Sequence, residues 1–266
     1  MIRINKHAQR EVAALMSIVG QQLLDWRREG NFGAITYKKG GKEVVSKLDL
    51  AAEQMIKDGL RQLLPEHKIW GEELGRDSGD LLKENFVLID AIDGSKNFLA
   101  GNPLFASQLA VFEDGVVVWS IVNLPALGEM YIAIRGEGAF CNGKHITPSV
   151  QDQLDLALQC FGIGHTAQDF LRLPLMIKEQ LAEPRHYGCA GVHYSFVACG
   201  RTDIYIAAEA AYYDAAPGLL LCEEVGLRFC TLDGDEYTQS ENNLSLVVGN
   251  PALISQYKAL RKQQTS

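Results

Sequence analysis

The sequence feature that most constrains this chain is an apolar run, residues 86–89 (FVLI), followed directly by residues 90–94 (DAIDG). A short apolar run that ends in a turn predicts a buried β-strand, and α/β sheets bind their ligands at the carboxyl ends of such strands. Asp90 and Asp93 cannot serve packing there, because two unpaired carboxylates beside a core strand lose hydration and repel each other. A bound cation removes that repulsion, so the turn predicts a site for one hard metal ion or for two adjacent ones.

The composition is that of an ordinary globular protein, with 266 residues of which 47% are hydrophobic and 22% are charged. That length allows one large domain or two packed halves. The formal net charge of −8 argues against a nucleic acid partner, since general affinity for phosphate backbones requires a basic surface. The sequence has no run of about 18 apolar residues and no apolar leader, so we expect neither a membrane-spanning helix nor a signal peptide.

The cysteines indicate a reducing compartment. The chain has six of them: Cys141, Cys160, Cys189, Cys199, Cys222 and Cys230. None is spaced as C-x-x-C and their neighbours are largely apolar, which predicts reduced core side chains in a cytoplasmic protein. No cluster of cysteine and histidine has the spacing of zinc ligands, so a zinc site is not expected.

Hydrophobic periodicity predicts helices and strands in blocks. Apolar residues at helical spacing predict a helix over roughly 8–28 and a second one that carries Leu48 to Leu63, with Ser46 before it and a stop near Pro65. Between them, the glycine-rich segment 30–41 predicts a mobile loop or a hairpin. Further strands are predicted at 69–70, 107–112, 116–122, 130–134, 156–161, 203–207 and 244–248, and helices at 167–181, 192–199, 215–225 and from Pro251. The strands from 107 to 134 indicate an antiparallel meander, and the block order favours layered mixed sheets over a doubly wound fold.

Other carboxylates follow the same pattern as the turn at Asp90. Glu72 and Glu73 follow a predicted strand and a glycine, Asp214 precedes a predicted helix, and Asp49 opens the second helix. Each of them alone is typical of a helix cap or a turn. Together with Asp90 they indicate a shared site.

Three segments resemble the signatures of the inositol monophosphatase family. Residues 71–73 (GEE), 90–98 (DAIDGSKNF) and 213–216 (YDAA) resemble its G-E-E, D-P-I-D-G-T-x-N-F and W-D-x-A-A-G patterns. Residues 136–143 resemble its G-x-G-A-F-x-N-G segment, and residues 185–199 its R-x-x-G-[ST]-A-A segment with the helix that follows. Order and spacing agree from about residue 8 to about residue 260.

The resemblance implies an α/β (α+β) fold, the layered αβαβα sandwich of inositol monophosphatases and fructose-1,6-bisphosphatases. It further implies an N-terminal α+β half, 1–150, that carries most metal ligands, and a C-terminal α/β half, 151–266, that carries Asp214 and segments in contact with the substrate. We also expect a homodimer, from the resemblance and because the apolar meander needs cover.

The resemblance also assigns the site. One Mg²⁺ is then held by Glu72, Asp90 and the Ile92 carbonyl, and a second by Asp90, Asp93 and Asp214. The implied catalytic residues are Asp49, Glu72 and Ser95. The implied substrate-binding residues are Asp93, Gly94, Ser95, Ala190 and Asp214, with the Gly94 and Ser95 amides at the phosphate. Lys38 matches a family lysine near the metals, and it fits a solvated loop charge equally well.

The chain departs from the family patterns at several positions. Ala91 replaces a proline and still permits a turn. Ser95 replaces a threonine and keeps the hydroxyl, and Tyr213 replaces a tryptophan and keeps an aromatic ring. Pro217 replaces an alanine, and we expect it in the first turn of a helix that Asp214 caps, where a proline is tolerated.

Another departure concerns the substrate. Ala207 stands where inositol-specific members carry a glutamate that binds inositol hydroxyls, and alanine cannot accept such hydrogen bonds. Glu209 can replace that acceptor only if the strand register places it on the same face. The sequence leaves open an inositol phosphate, a sugar phosphate, histidinol phosphate and a 3′-phosphonucleotide as substrates of a Mg²⁺-dependent phosphomonoesterase. The alternative is a degenerate family member that acts as a regulatory or protein-binding subunit.

Overall fold

The computed structural model describes residues 4–30, 32–33, 35–38, 43–80, 83–162, 185–238 and 244–264. The helices in these ranges are α1 (Lys6–Glu29), α2 (Lys47–Leu63), α3 (Ser95–Leu99), α4 (Ala190–Ala198), α5 (Tyr212–Glu224) and α6 (Pro251–Gln264). The strands are β1 (Ile35–Lys38), β2 (Glu43–Ser46), β3 (Lys68–Gly71), β4 (Phe86–Asp93), β5 (Ala106–Glu113), β6 (Val116–Leu124), β7 (Glu129–Ile134), β8 (Gly138–Cys141), β9 (Lys144–His145), β10 (Gln159–Gly162), β11 (Ile204–Ala210), β12 (Arg228–Thr231) and β13 (Leu244–Gly249). The helix predicted at 167–181 lies outside the described residues.

The first two helices lie where the sequence predicts them, although α1 begins at Lys6, two residues earlier than predicted, and ends at Glu29, one residue later. Asn5 caps α1 through a bond from the Ala8 N–H, and Gly30 ends it in the left-handed conformation. Ser46 caps α2 in a capping box with Asp49. The predicted hairpin before α2 is present as the antiparallel pair β1 and β2.

A seven-stranded sheet holds most of the N-terminal part, in the order β3-β4-β5-β6-β7-β8-β9. β3 runs parallel to β4, and from β4 onward every neighbouring pair is antiparallel, so the predicted meander is confirmed. The last turn follows from its residues, because Asn142 and Gly143 both adopt positive φ, 48° and 77°, as tight hairpins require.

A second sheet of four strands has the order β10-β11-β13-β12, with β10 parallel to β11 and the other pairs antiparallel. β10 begins at Gln159, three residues later than the predicted strand at 156. The reason is a turn just before it, in which the Leu156 N–H donates to the Gln153 carbonyl and the Leu156 side chain is 62% exposed.

The two sheets and the helices stack in five layers. α1 and α2 cover one face of the large sheet, α4 and α5 lie between the sheets, and α6 covers the outer face of the small sheet. β4 shows how the sequence builds this: Val87 and Ile89 pack under α1 and α2, whereas Phe86 and Leu88 pack toward α4 and α5. A strand buried on both faces reads as a continuous apolar run. The layered αβαβα sandwich is confirmed.

The core between the two sheets contains side chains from both predicted halves, among them Phe112 and Leu220. The division near residue 150 falls between β9 and β10, and it stays a prediction. Most of the apolar meander is covered within the chain, because β5 is buried throughout and β6 is buried after Val116, whereas Met130, Ile132 and Ile134 on β7 are half-buried. Across the described ranges, no helix combines the length and apolarity needed to span a bilayer.

A close approach of two helices fixes how the middle layer meets the large sheet. A Cβ added at Gly218 of α5 would lie 2.2 Å from Cγ and 2.3 Å from Cβ of Tyr194 on α4. The Ser120 hydroxyl of β6 donates to the Pro217 carbonyl at 2.9 Å. Only glycine permits this spacing, so the last glycine of the W-D-x-A-A-G pattern has a packing function here.

We expect Gly218→Ala to destabilise the protein by about 1–3 kcal/mol or more, because the atoms it meets lie next to the α4 backbone and cannot move aside. Gly59→Ala in α2 is the matched control. Its Cβ meets the Leu15 methyl carbons, which can rotate away, and alanine gains about 1 kcal/mol over glycine in a helix. Urea unfolding measures both, and equal losses for the two variants would contradict this account.

Candidate metal centre

Three carboxylates from three elements converge at one end of the large sheet. Glu72, Asp90 and Asp214 each offer an oxygen, and these oxygens all lie within 4.8 Å of one another. The parallel pairing of β3 with β4 aligns Gly71 with Ile89, and the Glu72 N–H donates to the Ile89 carbonyl at 3.3 Å. Glu72 therefore follows β3 at the level of Asp90, which lies within β4 because that strand continues to Asp93, beyond the predicted turn at residue 90.

The electrostatics of this group favour a cation. Asp90 is 2% exposed, and burial raises the pKa of its carboxyl well above the usual value, with further upward contributions from Glu72, Asp214 and Asp93. The Ile92 N–H donates to Asp90 Oδ1 at 3.1 Å. Three oxygens this close fit one hard divalent ion, since such ions prefer a few carboxylates and water at about 2.0–2.1 Å for Mg²⁺.

Asp93 has a different neighbourhood from these three residues. Its Oδ1 accepts from the Ala190 N–H at 3.1 Å, and its Oδ2 accepts from the Gly191 N–H at 2.5 Å and from the Cys189 thiol at 3.2 Å. Burial raises the pKa of the Asp93 carboxyl, and these three donors act in the opposite direction. Cys189 is the N-cap residue of α4, and Asp93 caps the helix from outside by accepting from its first two N–H groups.

This contact corrects the predicted start of α4. The helix begins at Ala190 rather than at 192, because a carboxylate 97 residues earlier in sequence satisfies its first N–H groups. It also engages the Ala190 amide, to which the family resemblance assigns a substrate contact. That role stays a prediction.

Gln108 is the residue of this site that the sequence reasoning missed. It is fully buried in β5 directly opposite Asp90, and its Nε2 lies 3.4 Å from Asp90 Oδ2, 3.3 Å from Asp93 Oδ2 and 3.3 Å from the Asp214 carbonyl. A neutral amide donor there brings the acidic groups together without adding charge. The signal available in the sequence was an amide in the middle of an otherwise apolar strand.

A hydroxyl and a carboxylate form a second part of the site. The Ser95 hydroxyl lies 3.0 Å from Asp49 Oδ1 and 2.9 Å from the Ile92 carbonyl, so either oxygen can accept its one proton. Asp49 is 4% exposed, and its other oxygen accepts from the Ser46 N–H at 2.7 Å and the Ser46 hydroxyl at 2.6 Å. The cap of α2 therefore fixes the carboxylate that orients Ser95.

The α5 end of the site differs from the prediction. α5 begins at Tyr212 and not at 215, so its N-cap is Ala211 and Asp214 lies within the first turn. Pro217 is one turn further on, where it cannot donate to the Tyr213 carbonyl, and the expectation of a first-turn proline is wrong. The Tyr213 hydroxyl donates to Glu72 Oε1 at 3.2 Å, a contact that the aromatic replacement brings to the site.

Strand β11, which carries Ala207 and Glu209, has an irregular register. Ala207 is fully buried and packs in the core between the sheets. The pairing of β11 with β13 shifts between Ala207 and Ala210, so simple alternation does not relate Glu209 to Ala207. The side chains of Glu209 and Lys38 lie outside the described part of the chain.

All six cysteines are free thiols. Four of them are buried as predicted, and Cys141 and Cys199 are half-buried.

Comparison with known proteins agrees with the fold and the site. The sequence model of the Inositol monophosphatase family matches residues 4–265. A Thermotoga maritima relative named fructose-1,6-bisphosphatase/inositol-1-monophosphatase is 32% identical over 231 residues and 86% of each chain. The Nus factor SuhB of Escherichia coli is 30% identical over 253 residues, 90% of this chain and 94% of that protein. The solved structure of a T. maritima inositol monophosphatase superposes with a TM-score of 0.83 at 27% identity, covering 95% of both chains.

The chain therefore belongs to the inositol monophosphatase family. Its enzymatic class is that of the phosphoric monoester hydrolases. The family is metal-dependent, and the Glu72, Asp90 and Asp214 oxygens are a donor set suited to a divalent cation.

We expect Asp90→Asn to raise the melting temperature of the metal-free protein at neutral pH. The folded pKa of Asp90 lies above its usual 3.8, so the metal-free wild type loses stability as pH rises from about 3.8 through the raised pKa. An amide removes that loss, and the Gln108 Oε1, which has no partner among the described residues, can turn to accept from it.

The same variant should lose the stabilisation that Mg²⁺ gives the wild type. Thermal unfolding in EDTA and in Mg²⁺ measures both effects, with Asp58→Asn on the exposed side of α2 as the control. An Asp90→Asn protein that is less stable than wild type in EDTA would show that the charge on Asp90 does not destabilise the metal-free fold.

Proposed function

We propose that this protein is a Mg²⁺-dependent phosphomonoesterase that hydrolyses a small phosphorylated metabolite by attack of water at a two-metal centre. The observation that carries the proposal is the convergence of Glu72, Asp90 and Asp214, whose oxygens lie within 4.8 Å of one another, beside the Ser95 hydroxyl that contacts Asp49. An acidic, half-buried centre needs cations before it can receive an anionic substrate.

The residues that would hold the ions follow the family pattern. Glu72, Asp90 and the Ile92 carbonyl would hold one Mg²⁺, and Asp90, Asp93 and Asp214 a second. When bound, the ions neutralise charge on the phosphate oxygens and favour the attacking and leaving groups of an in-line displacement. Gln108 would hold Asp90, Asp93 and the Asp214 backbone in fixed positions relative to one another, because its amide contacts all three.

Ser95 and Asp49 would handle the nucleophile. The Ser95 hydroxyl donates a hydrogen bond to Asp49 Oδ1 or to the Ile92 carbonyl, so its lone pairs can accept a hydrogen bond from the attacking water. Asp49 keeps that orientation because Ser46 holds its other oxygen. Glu72 would assist removal of the water proton. The Gly94 and Ser95 amides would contact the phosphate.

The substrate is proposed by class. An inositol phosphate, a sugar phosphate, histidinol phosphate and a 3′-phosphonucleotide all present a phosphomonoester to such a centre. The relative from T. maritima, whose name joins fructose-1,6-bisphosphatase and inositol-1-monophosphatase activities, supports a sugar or polyol phosphate. Ala207 lacks the acceptor of the inositol-specific members, which favours a substrate other than inositol 1-phosphate.

A second candidate function is that of a regulatory or protein-binding subunit. It is favoured by the E. coli relative at 30% identity, whose name describes a Nus factor. The ligand carboxylates are all retained in this chain, which favours the phosphatase. Release of phosphate from glycerol phosphate with and without Mg²⁺ separates the two functions.

A cytoplasmic homodimer completes the proposal. Six free thiols fit a reducing compartment. The main support for a dimer is the family resemblance. Met130, Ile132 and Ile134 on β7 are half-buried, so this strand offers apolar surface to a second copy. Light scattering at working concentration tests the oligomeric state.

We expect Ser95→Ala to lower kcat by roughly 10²-fold or more with a smaller change in KM, because the hydroxyl acts on the water and not on the substrate. Ser107→Ala is the matched control: its hydroxyl is buried in β5 and has no partner among the described residues. Steady-state phosphate release from p-nitrophenyl phosphate in Mg²⁺ measures both. A kcat for Ser95→Ala equal to that of Ser107→Ala would remove Ser95 from the mechanism.

Inositol 1-phosphate should be a poorer substrate than at least one other phosphomonoester in a panel of metabolites. A missing charged hydrogen bond is worth roughly 1.5–3 kcal/mol, or about ten- to a hundredfold in kcat/KM. Because Ala207 is fully buried, the informative variant is Glu209→Ala and not a glutamate at 207. If the wild-type protein instead prefers inositol 1-phosphate and Glu209→Ala loses that preference, Glu209 is the residue that binds the inositol hydroxyls.

A further inference from the structure

A buried ion pair on α2 lies outside the proposed chemistry. Glu53 is completely buried and the Lys57 side chain is 8% exposed, with Nζ 3.7 Å from Glu53 Oε1. Burying two charges costs free energy unless further hydrogen bonds satisfy them, and apolar residues of the same size often stabilise a core equally well. The contacts made by this pair therefore indicate a purpose other than stability.

Glu53 binds the backbone of the turn that carries Glu72. Its Oε2 accepts from the Glu73 N–H at 2.8 Å and its Oε1 from the Leu74 N–H at 2.9 Å. A Cβ on Gly71 would lie 1.8 Å from Glu53 Oε1, so only glycine allows the carboxylate to approach this closely. The contacts of Glu53 thus lie on both sides of Glu72 in sequence.

Lys57 binds the other end of the same turn. Its Nζ donates to the Gly75 carbonyl at 3.1 Å, and that carbonyl also accepts from the Gly71 N–H at 3.1 Å. The turn therefore closes on itself between Gly71 and Gly75, and Lys57 secures the point of closure. The Glu53 carboxylate accepts from N–H groups and the Lys57 ammonium donates to a carbonyl, as their charges require.

We propose that Glu53 and Lys57 are positioning residues that fix the backbone of residues 71–75 and thereby place the Glu72 carboxylate against Asp90 and Asp214. The proposal rests on the metal centre proposed above. It gives α2 two functions at that centre. Asp49 in its first turn accepts from the Ser95 hydroxyl, and Glu53, one turn later, holds the backbone next to Glu72. Partners behind a metal ligand of this kind contribute roughly 10- to 100-fold to metal affinity.

The test compares Glu53→Gln with Asp58→Asn, an acidic-to-amide change on the exposed side of the same helix. Glutamine keeps the size of Glu53 but turns one acceptor into a donor that faces an N–H group. Calorimetric titration with Mg²⁺ in the absence of substrate should show about 10- to 100-fold weaker binding for Glu53→Gln and wild-type binding for Asp58→Asn. Hydrogen exchange should be faster at the Glu73 and Leu74 amides in Glu53→Gln alone.

Kinetics provide a readout that a purely structural role would not move. For Glu53→Gln, the Mg²⁺ concentration needed for half-maximal phosphate release should rise while kcat at saturating Mg²⁺ recovers toward wild type. Lys57→Met, which removes the bond to the Gly75 carbonyl but leaves the Glu53 oxygens on the turn, should shift Mg²⁺ binding in the same direction by less. It serves as the second variant if Glu53→Gln does not fold.

Two results would overturn the proposal. Wild-type Mg²⁺ affinity in a folded Glu53→Gln protein would show that the pair does not place Glu72, and unchanged exchange at Glu73 and Leu74 would show that it does not hold the turn. A wild-type protein that binds no Mg²⁺ would instead overturn the metal centre, and the exchange measurement would still decide whether Glu53 anchors the turn.

Discussion

The repulsion among Glu72, Asp90 and Asp214 is the constraint on which the rest of the structure depends. Carboxylate oxygens within 4.8 Å of one another, one of them almost fully buried, do not come together unless the elements that carry them are held by stronger interactions. Each carboxylate lies on a different element: Glu72 on the turn after β3, Asp90 in the second half of β4 and Asp214 in the first turn of α5. The apolar layers on both faces of β4 supply the driving force that overcomes their repulsion.

Neutral and cationic groups around the acids then determine their geometry. Gln108 and Tyr213 donate to the carboxylates without adding positive charge, so they order the acids while leaving the centre anionic. The N-terminus of α4 contributes partial positive charge to Asp93. The Lys57 ammonium binds Glu53 and the backbone behind Glu72. The positive charge of Lys57 therefore offsets Glu53 rather than Glu72, Asp90 and Asp214. These three carboxylates keep the negative charge that attracts a divalent ion.

Much of the fold could be predicted from the sequence, because its signals are local. The periodicity of α1, the capping box of α2 and the Asn142-Gly143 turn each lie within a few residues of the structure they specify. The start of α4 could not be predicted, since its cap is Asp93, distant in sequence. The start of α5 was placed too late because Asp214 looked like a cap, whereas Ala211 occupies that position.

The site divides in the same way. The acidic motifs identified the residues that converge, and Asp49 beside Ser95 followed from the family pattern. Gln108 and Glu53 carry no local signature, because each acts through a neighbour that only the folded chain provides. The register shift in β11 had no signal in the sequence either, and it removed the strict alternation from which the side of the strand occupied by Glu209 was inferred.

The capping of α4 by Asp93 has a consequence for how this protein is made. A chain emerging from the ribosome presents Glu72, Asp90 and Asp93 well before residues 189–191, which satisfy Asp93, and before Asp214, which completes the acidic group. The growing N-terminal portion thus exposes carboxylates whose partners have not yet been synthesised. The group of three carboxylates is therefore complete only in a polypeptide that extends as far as α5, so no shorter N-terminal fragment of this protein carries the whole donor set.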